Sequence, residues 1–165
     1  MEKRMSLPET YLKMLSTVSA DGELTMELVE APMPVPRSHE VVIRVEATPI
    51  NPSDQGVMFG FTNMAGATSS GEGAATVLKA PVSPQGMGVM KARIDQFLPV
   101  GNEGAGTVVA AGDDAMSQGF MGKTVATLGG GMYAQYRCVP AATCLPLLPG
   151  QTAKEGASCF VNPLT

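Results

Sequence analysis

Side chains able to do chemistry are few in this sequence, and their spacing excludes more than it offers. The three cysteines, Cys138, Cys144 and Cys159, include no CxxC pair, so they supply neither a disulfide framework nor a structural zinc site. Free thiols in a reducing compartment are the expectation. The single histidine, His39, stands in the loop before a long strand and is expected at the surface. Gly101, Gly104 and Gly106 do not have the G-x-G-x-x-G spacing of a phosphate loop, and no helix follows them. They read as close-packing glycines at the start of a strand. Glu103, among them, is expected to satisfy backbone amides at a buried turn. In Asn51-Pro52-Ser53-Asp54, Asn51 or Ser53 is suited to cap a short helix, with Pro52 in its first turn.

These residues must be positioned by a chain of 165 residues, enough for one domain with a real core. A content of 44% hydrophobic residues with 19 Gly and 13 Pro points to many turns between short strands. A net charge of −4, with Lys3, Arg4 and Lys13 scattered among acids, excludes a nucleic-acid face built on phosphate contacts. No apolar run reaches the roughly 18 residues of a membrane helix. Pro8, Glu9 and Lys13 interrupt any signal-peptide core, so a cytoplasmic or organellar location is expected.

Alternation predicts strands over Tyr11 to Ser19 and Leu24 to Glu30, joined by a turn at Ala20-Asp21-Gly22. The cleanest strand runs from Glu40 to Ala47, with Val41, Ile43 and Val45 on one face. Phe59 to Ala80, rich in Gly, Ala, Ser and Thr, is expected to form a mobile loop within a long flexible insertion over about 59–97. Further strands are predicted at Gly104 to Ala111, Lys123 to Leu128, Met132 to Val139 and Cys144 to Leu147. Thr152 and Glu155 form a capping box, from which a helix is expected to reach Ala157 and Phe160. About seven short strands and one clear helix make a mainly β, barrel-like pattern without a strand-helix-strand repeat.

Three stretches together resemble the N-terminal domain of the medium-chain dehydrogenase/reductase family. They are Ala47-Thr48-Pro49-Ile50-Asn51-Pro52-Ser53-Asp54, Val100-Gly101-Asn102-Glu103-Gly104-Ala105-Gly106, and Phe160-Val161-Asn162-Pro163-Leu164-Thr165. Gly122-Lys123-Thr124-Val125 and Tyr133-Ala134-Gln135-Tyr136 lie between the last two and also match. The resemblance implies a GroES-like, partly open β-barrel over residues 1–165, with a Rossmann nucleotide-binding domain expected after Thr165.

In the zinc-dependent branch of that family, thiolate, imidazole or carboxylate donors stand where this chain has Asn51, Asn102 and Asn162. A neutral amide is a poor zinc ligand, so the resemblance is to the zinc-independent quinone oxidoreductases and enoyl reductases. It implies an NAD(P)H-dependent reductase, with NADPH the expected cofactor, acting on a conjugated carbonyl such as a quinone or enone. Asn51, Asp54, Asn162 and Thr165 are expected to face the nicotinamide cofactor, though Asn51 also fits a purely capping role. Phe59 and Phe61 are expected in the substrate pocket, and they leave no Tyr where enoyl thioester reductases of this branch carry a proton donor. Enoyl thioester reduction is therefore the second expectation, and a stand-alone GroES-like binding module the third. The isolated chain is expected to be inactive, and either to self-associate through its cleft side or to leave Phe59 to Ala80 disordered.

Overall fold

The computed structural model of the chain describes residues 6–161. Asn162 and Thr165, two of the expected cofactor contacts, lie outside these residues. Among the described residues ten strands form two five-stranded sheets, with four short helices and no closed barrel. Every ladder among the described residues is antiparallel, which supports the mainly β, GroES-like expectation and leaves no parallel nucleotide-binding sheet among them.

The first sheet has the order β4-β5-β2-β1-β6. Strands β1 (Thr10–Val18) and β2 (Glu23–Pro32) form its long hairpin, turned by Gly22 at φ 81°. Strands β4 (Thr68–Ser70), β5 (Val77–Pro81) and β6 (Leu98–Pro99) complete it. The second sheet runs β10-β8-β7-β3-β9. It is built from β3 (Glu40–Ala47), β7 (Glu103–Ala111), β8 (Thr124–Leu128), β9 (Tyr136–Pro140) and β10 (Cys144–Pro146). The helices are α1 (Pro52–Phe59), α2 (Pro84–Val89), α3 (Ala115–Gly119) and α4 (Ala153–Gly156).

The segment from Phe59 to Ala80, expected as a mobile loop, carries regular structure on the first sheet. It contains single helical turns at Met64–Gly66 and Gly73–Ala75, and the β4–β5 hairpin. Strand β5 pairs with β2, placing Leu78 opposite Met26 and Ala80 opposite Leu24. Backbone hydrogen bonding carries β4, whose three residues are all exposed, so low apolar content did not preclude a strand there. In the rest of the expected insertion, Met87 and Met90 pack into the core of this sheet. Downstream, the helix expected to reach Phe160 stops at Gly156, although its capping box forms as expected.

Three apolar clusters fill the interior. Val18, Leu24, Met26, Val82 and Val100 gather behind the first sheet, joined by Met58 from the inner face of α1. Burying one such side chain contributes about 1.5–3 kcal/mol. Val41, Ile43, Val108 and Val125 form the core of the second sheet. Ala105, Ala126, Ala153 and Ala157 make a small-residue seat on which Phe160 packs. The sheets are stitched together at residues 133–135. The Met14 amide donates to the Tyr133 carbonyl at 2.8 Å, and the Gln135 amide donates to Leu12 at 2.9 Å while its carbonyl accepts from Val45 at 3.0 Å.

Candidate functional site

The site is assembled where β3 ends and α1 begins. Thr48-Pro49-Ile50 leads out of the second sheet, and Pro52 opens the helix. The backbone amide of Asn51 donates to Oδ2 of Asp54 at 2.7 Å, closing the first turn. Asp54 is buried, and its other oxygen, Oδ1, accepts from the amide of Asn102 at 2.8 Å. One carboxylate thus ties the head of α1 to the residue just before β7.

Glu103 makes the complementary bond from the first residue of β7. It is fully buried. Its Oε1 accepts from Nδ2 of Asn51 at 3.1 Å. Its Oε2 accepts from the amides of Phe160 at 2.9 Å and Val161 at 3.0 Å. The expected role of Glu103, satisfying backbone amides at a buried position, is the one the structure shows. Gly104 follows it because a Cβ there would meet the Ala47 carbonyl at 2.9 Å.

At the surface of this assembly, Asn102 donates through Nδ2 to Oγ of Ser53 at 2.8 Å. Thr48 donates through its hydroxyl to the Glu103 carbonyl at 2.7 Å, and the Tyr133 hydroxyl donates to the Pro49 carbonyl at 2.9 Å. Burial, aided by the nearby Asp54 carboxylate, pushes the Tyr133 phenol up to about 12. Thr48, Met132, Tyr133 and Glu46 line a shallow cavity of about 450 Å³ beside the site. The polar side chains that line it, Glu46, Thr48 and Tyr133, are already hydrogen-bonded within the protein.

The sequence expectations are distributed unevenly over this geometry. Asn51 and Asp54 come together, yet both are only 1% exposed and their side chains are engaged inside the protein. Phe59 packs against the core cluster beneath α1, whereas Phe61 is 51% exposed at φ 62°. Ser53, Thr48 and Tyr133 belong to the site and were not singled out by residue type. Ser53 was legible only as a possible cap. Tyr133 is placed by the junction of the two sheets, which no local pattern reports.

Asn51 and Asn102 stand near each other through Asp54, but their amides are bonded to Glu103 and Ser53. Such a neutral, internally satisfied pair does not fit zinc, which takes thiolate, imidazole or carboxylate ligands. Among the described residues no group of three or more His, Cys, Asp or Glu is placed to hold a metal ion. His39 is exposed and the three thiols are half-buried and free. No helix among the described residues is long and apolar enough to cross a membrane.

No curated protein matches the sequence. Among solved structures, the chain is similar to a putative NADPH:quinone reductase from Mesorhizobium loti, with a TM-score of 0.64 and 26% identity over 97% of this chain and 43% of that one. A putative NADPH:quinone reductase from Bacillus thuringiensis gives a TM-score of 0.64 at 21% identity, covering 96% of this chain and 39% of that one. A mycobacterial protein solved in complex with NADPH gives 0.59 at 20% identity, covering 92% and 36%. The chain therefore spans roughly four tenths of the length of these structures. The profile of the alcohol dehydrogenase GroES-like domain matches residues 37–149, from the loop before β3 to the turn after β10. With its two antiparallel sheets and the Asn51-to-Asp54 turn locked onto Glu103, the chain belongs to the alcohol dehydrogenase GroES-like domain family.

Proposed function

We propose that the chain is the substrate-side domain of a zinc-independent, NADPH-dependent reductase of conjugated carbonyls, with a quinone or enone as acceptor. The observation that carries this reading is the site itself. At the head of α1 the family fold presents two neutral amides, Asn51 and Asn102, each committed to a protein partner. A reductase without a Lewis acid is best matched to an acceptor already polarised by conjugation. Its similarity to a putative NADPH:quinone reductase supports the same class.

NADPH, when bound, supplies the hydride. The chain's own residues shape one wall of its cleft. Asp54 and Glu103 hold the first turn of α1 in place, and Ser53 and Asn102 form a polar lip at the surface. Phe61 offers an exposed aromatic face just beyond α1 for a planar acceptor. Because Phe59 and Phe61 carry no acidic proton, quinone or enone reduction fits better than enoyl thioester reduction.

Elemental analysis of the purified chain is expected to find well below one zinc per molecule, and NADPH titration to find no micromolar binding by the monomer, because the pyrophosphate site of the family belongs to a Rossmann domain. One tightly held zinc per chain would overturn the zinc-independent reading, and micromolar NADPH binding would overturn the division of labour.

A further inference from the structure

In the reaction proposed above Glu103 only steadies α1, yet its carboxylate is buried on a strand whose other residues are Gly, Ala, Thr and Val. A carboxylate is tolerated in such a place only where its lone pairs are met. Its two oxygens serve different parts of the chain. Oε1 takes Nδ2 of Asn51, at the head of α1. Oε2 takes two successive amides, Phe160 and Val161, in the segment after α4. These segments are far apart in sequence, and this side chain bonds directly to both.

The chemistry of the partners favours a carboxylate at this position. All three are N–H donors, and an ionisable acid without its proton is an acceptor only. A glutamine would offer the two backbone amides a neutral oxygen at best, with its NH2 facing Asn51, whose own amide would have to turn over to accept it. An aspartate is one methylene shorter and would have to choose between the two sides.

We propose that Glu103 is a positioning residue that couples the head of α1 to the Phe160–Val161 segment, so that the path of the chain through Phe160 and Val161 is set by the same carboxylate that orients Asn51. Only the significance of this coupling for cofactor placement rests on the reductase reading; the coupling itself does not.

Amide hydrogen exchange of the whole chain, followed by NMR in Glu103→Gln and Asn51→Ala, tests it without any cofactor. In Glu103→Gln the Phe160 and Val161 amides are expected to exchange about 10-fold faster or more, the loss typical of hydrogen bonds to a charged group. Val108 and Val125, in β7 and β8, should keep their rates. In Asn51→Ala, which leaves both amides bonded to Glu103, the same two amides should still exchange faster, by a smaller factor. Unchanged rates at Phe160 and Val161 in Asn51→Ala would overturn the coupling, as would uniform acceleration across β7 and β8 in either variant. If Glu103→Gln does not fold, Asn51→Ala decides alone by the same criterion. Only a protein that joins this chain to a dinucleotide-binding domain bears on the reductase reading, and its failure to reduce a quinone would leave the coupling untouched.

Discussion

Cys138 lies half-buried with its Sγ 3.6 Å from a carboxylate oxygen of Glu40, and burial together with that negative charge pushes its thiol up to about 11. Burial does the same to Cys144, also to about 11, and Tyr133 reaches about 12. None of these groups is a ready nucleophile at neutral pH, because the thiolate is the reactive form. Alkylation of the thiols by iodoacetamide should accordingly be slow in the native chain near neutral pH and rise sharply in urea. The same shifts have a consequence for stability. Each folded value lies above the ordinary one, 9.0 for the thiols and 10.0 for the phenol, so the folded chain holds these protons more tightly than the unfolded chain. Their contribution is intact below about pH 9 and is lost as pH rises towards 11 and 12. The thermal midpoint should fall over that alkaline window, and a rise there would contradict the assignment. Other residue roles differ in how visible they were in the sequence. Glu103 was legible because an acid between close-packing glycines has to find buried partners. Tyr133 was not, since its hydroxyl bond to Pro49 spans 84 residues of sequence.

Strand pairing explains why certain glycines cannot be replaced. A Cβ on Gly106 would lie 1.9 Å from the Arg44 carbonyl, inside the β3–β7 ladder that carries Glu103. Gly106→Ala should therefore cost about 1–3 kcal/mol, the usual penalty for forcing extra atoms into a packed site. Gly119, in α3, has nothing within 4 Å of its would-be Cβ, and Gly119→Ala should be neutral or slightly stabilising. Urea midpoints of the two variants check the contrast; equal effects would show that the close approach in the ladder is not the cause. Strands β1, β2, β3, β7 and β8 were readable as apolar stretches bounded by turns, although β3, β7 and β8 bury three or more successive residues and not one face alone. Strand β5 was hidden because its anchors, Leu78 and Ala80, stand at the end of a stretch poor in large side chains. Helices α2 and α3, of six and five residues, are too short to show a period. The helix after Thr152 had a correct start signal, but Gly156 and the turn beyond it release the chain towards Glu103.

At the scale of the molecule, the face around α1 carries apolar side chains that the described residues do not cover. Ile50 is 69% exposed immediately before Asn51, and Phe61 is 51% exposed just after the helix. Exposed apolar patches commonly mark a surface that meets a partner. Sedimentation over a concentration series should show the isolated chain self-associating, with Ile50→Ser weakening association and leaving the thermal midpoint unchanged. Phe160→Ser is the poorer probe, because Phe160 packs on the Ala105, Ala126 and Ala153 seat and its loss would loosen the core. A chain that stayed monomeric at high concentration, with or without Ile50, would show that this face is not adhesive. The proposed activity is NADPH-dependent reduction of a conjugated carbonyl without zinc. Its most direct test is quinone-dependent NADPH oxidation by a protein in which this chain is followed by a dinucleotide-binding domain, assayed before and after exhaustive zinc chelation. NADPH oxidation is expected to require the quinone and to survive chelation unchanged; activity that disappears with the chelator and returns on adding zinc, or no quinone-dependent oxidation at all, would contradict the proposal.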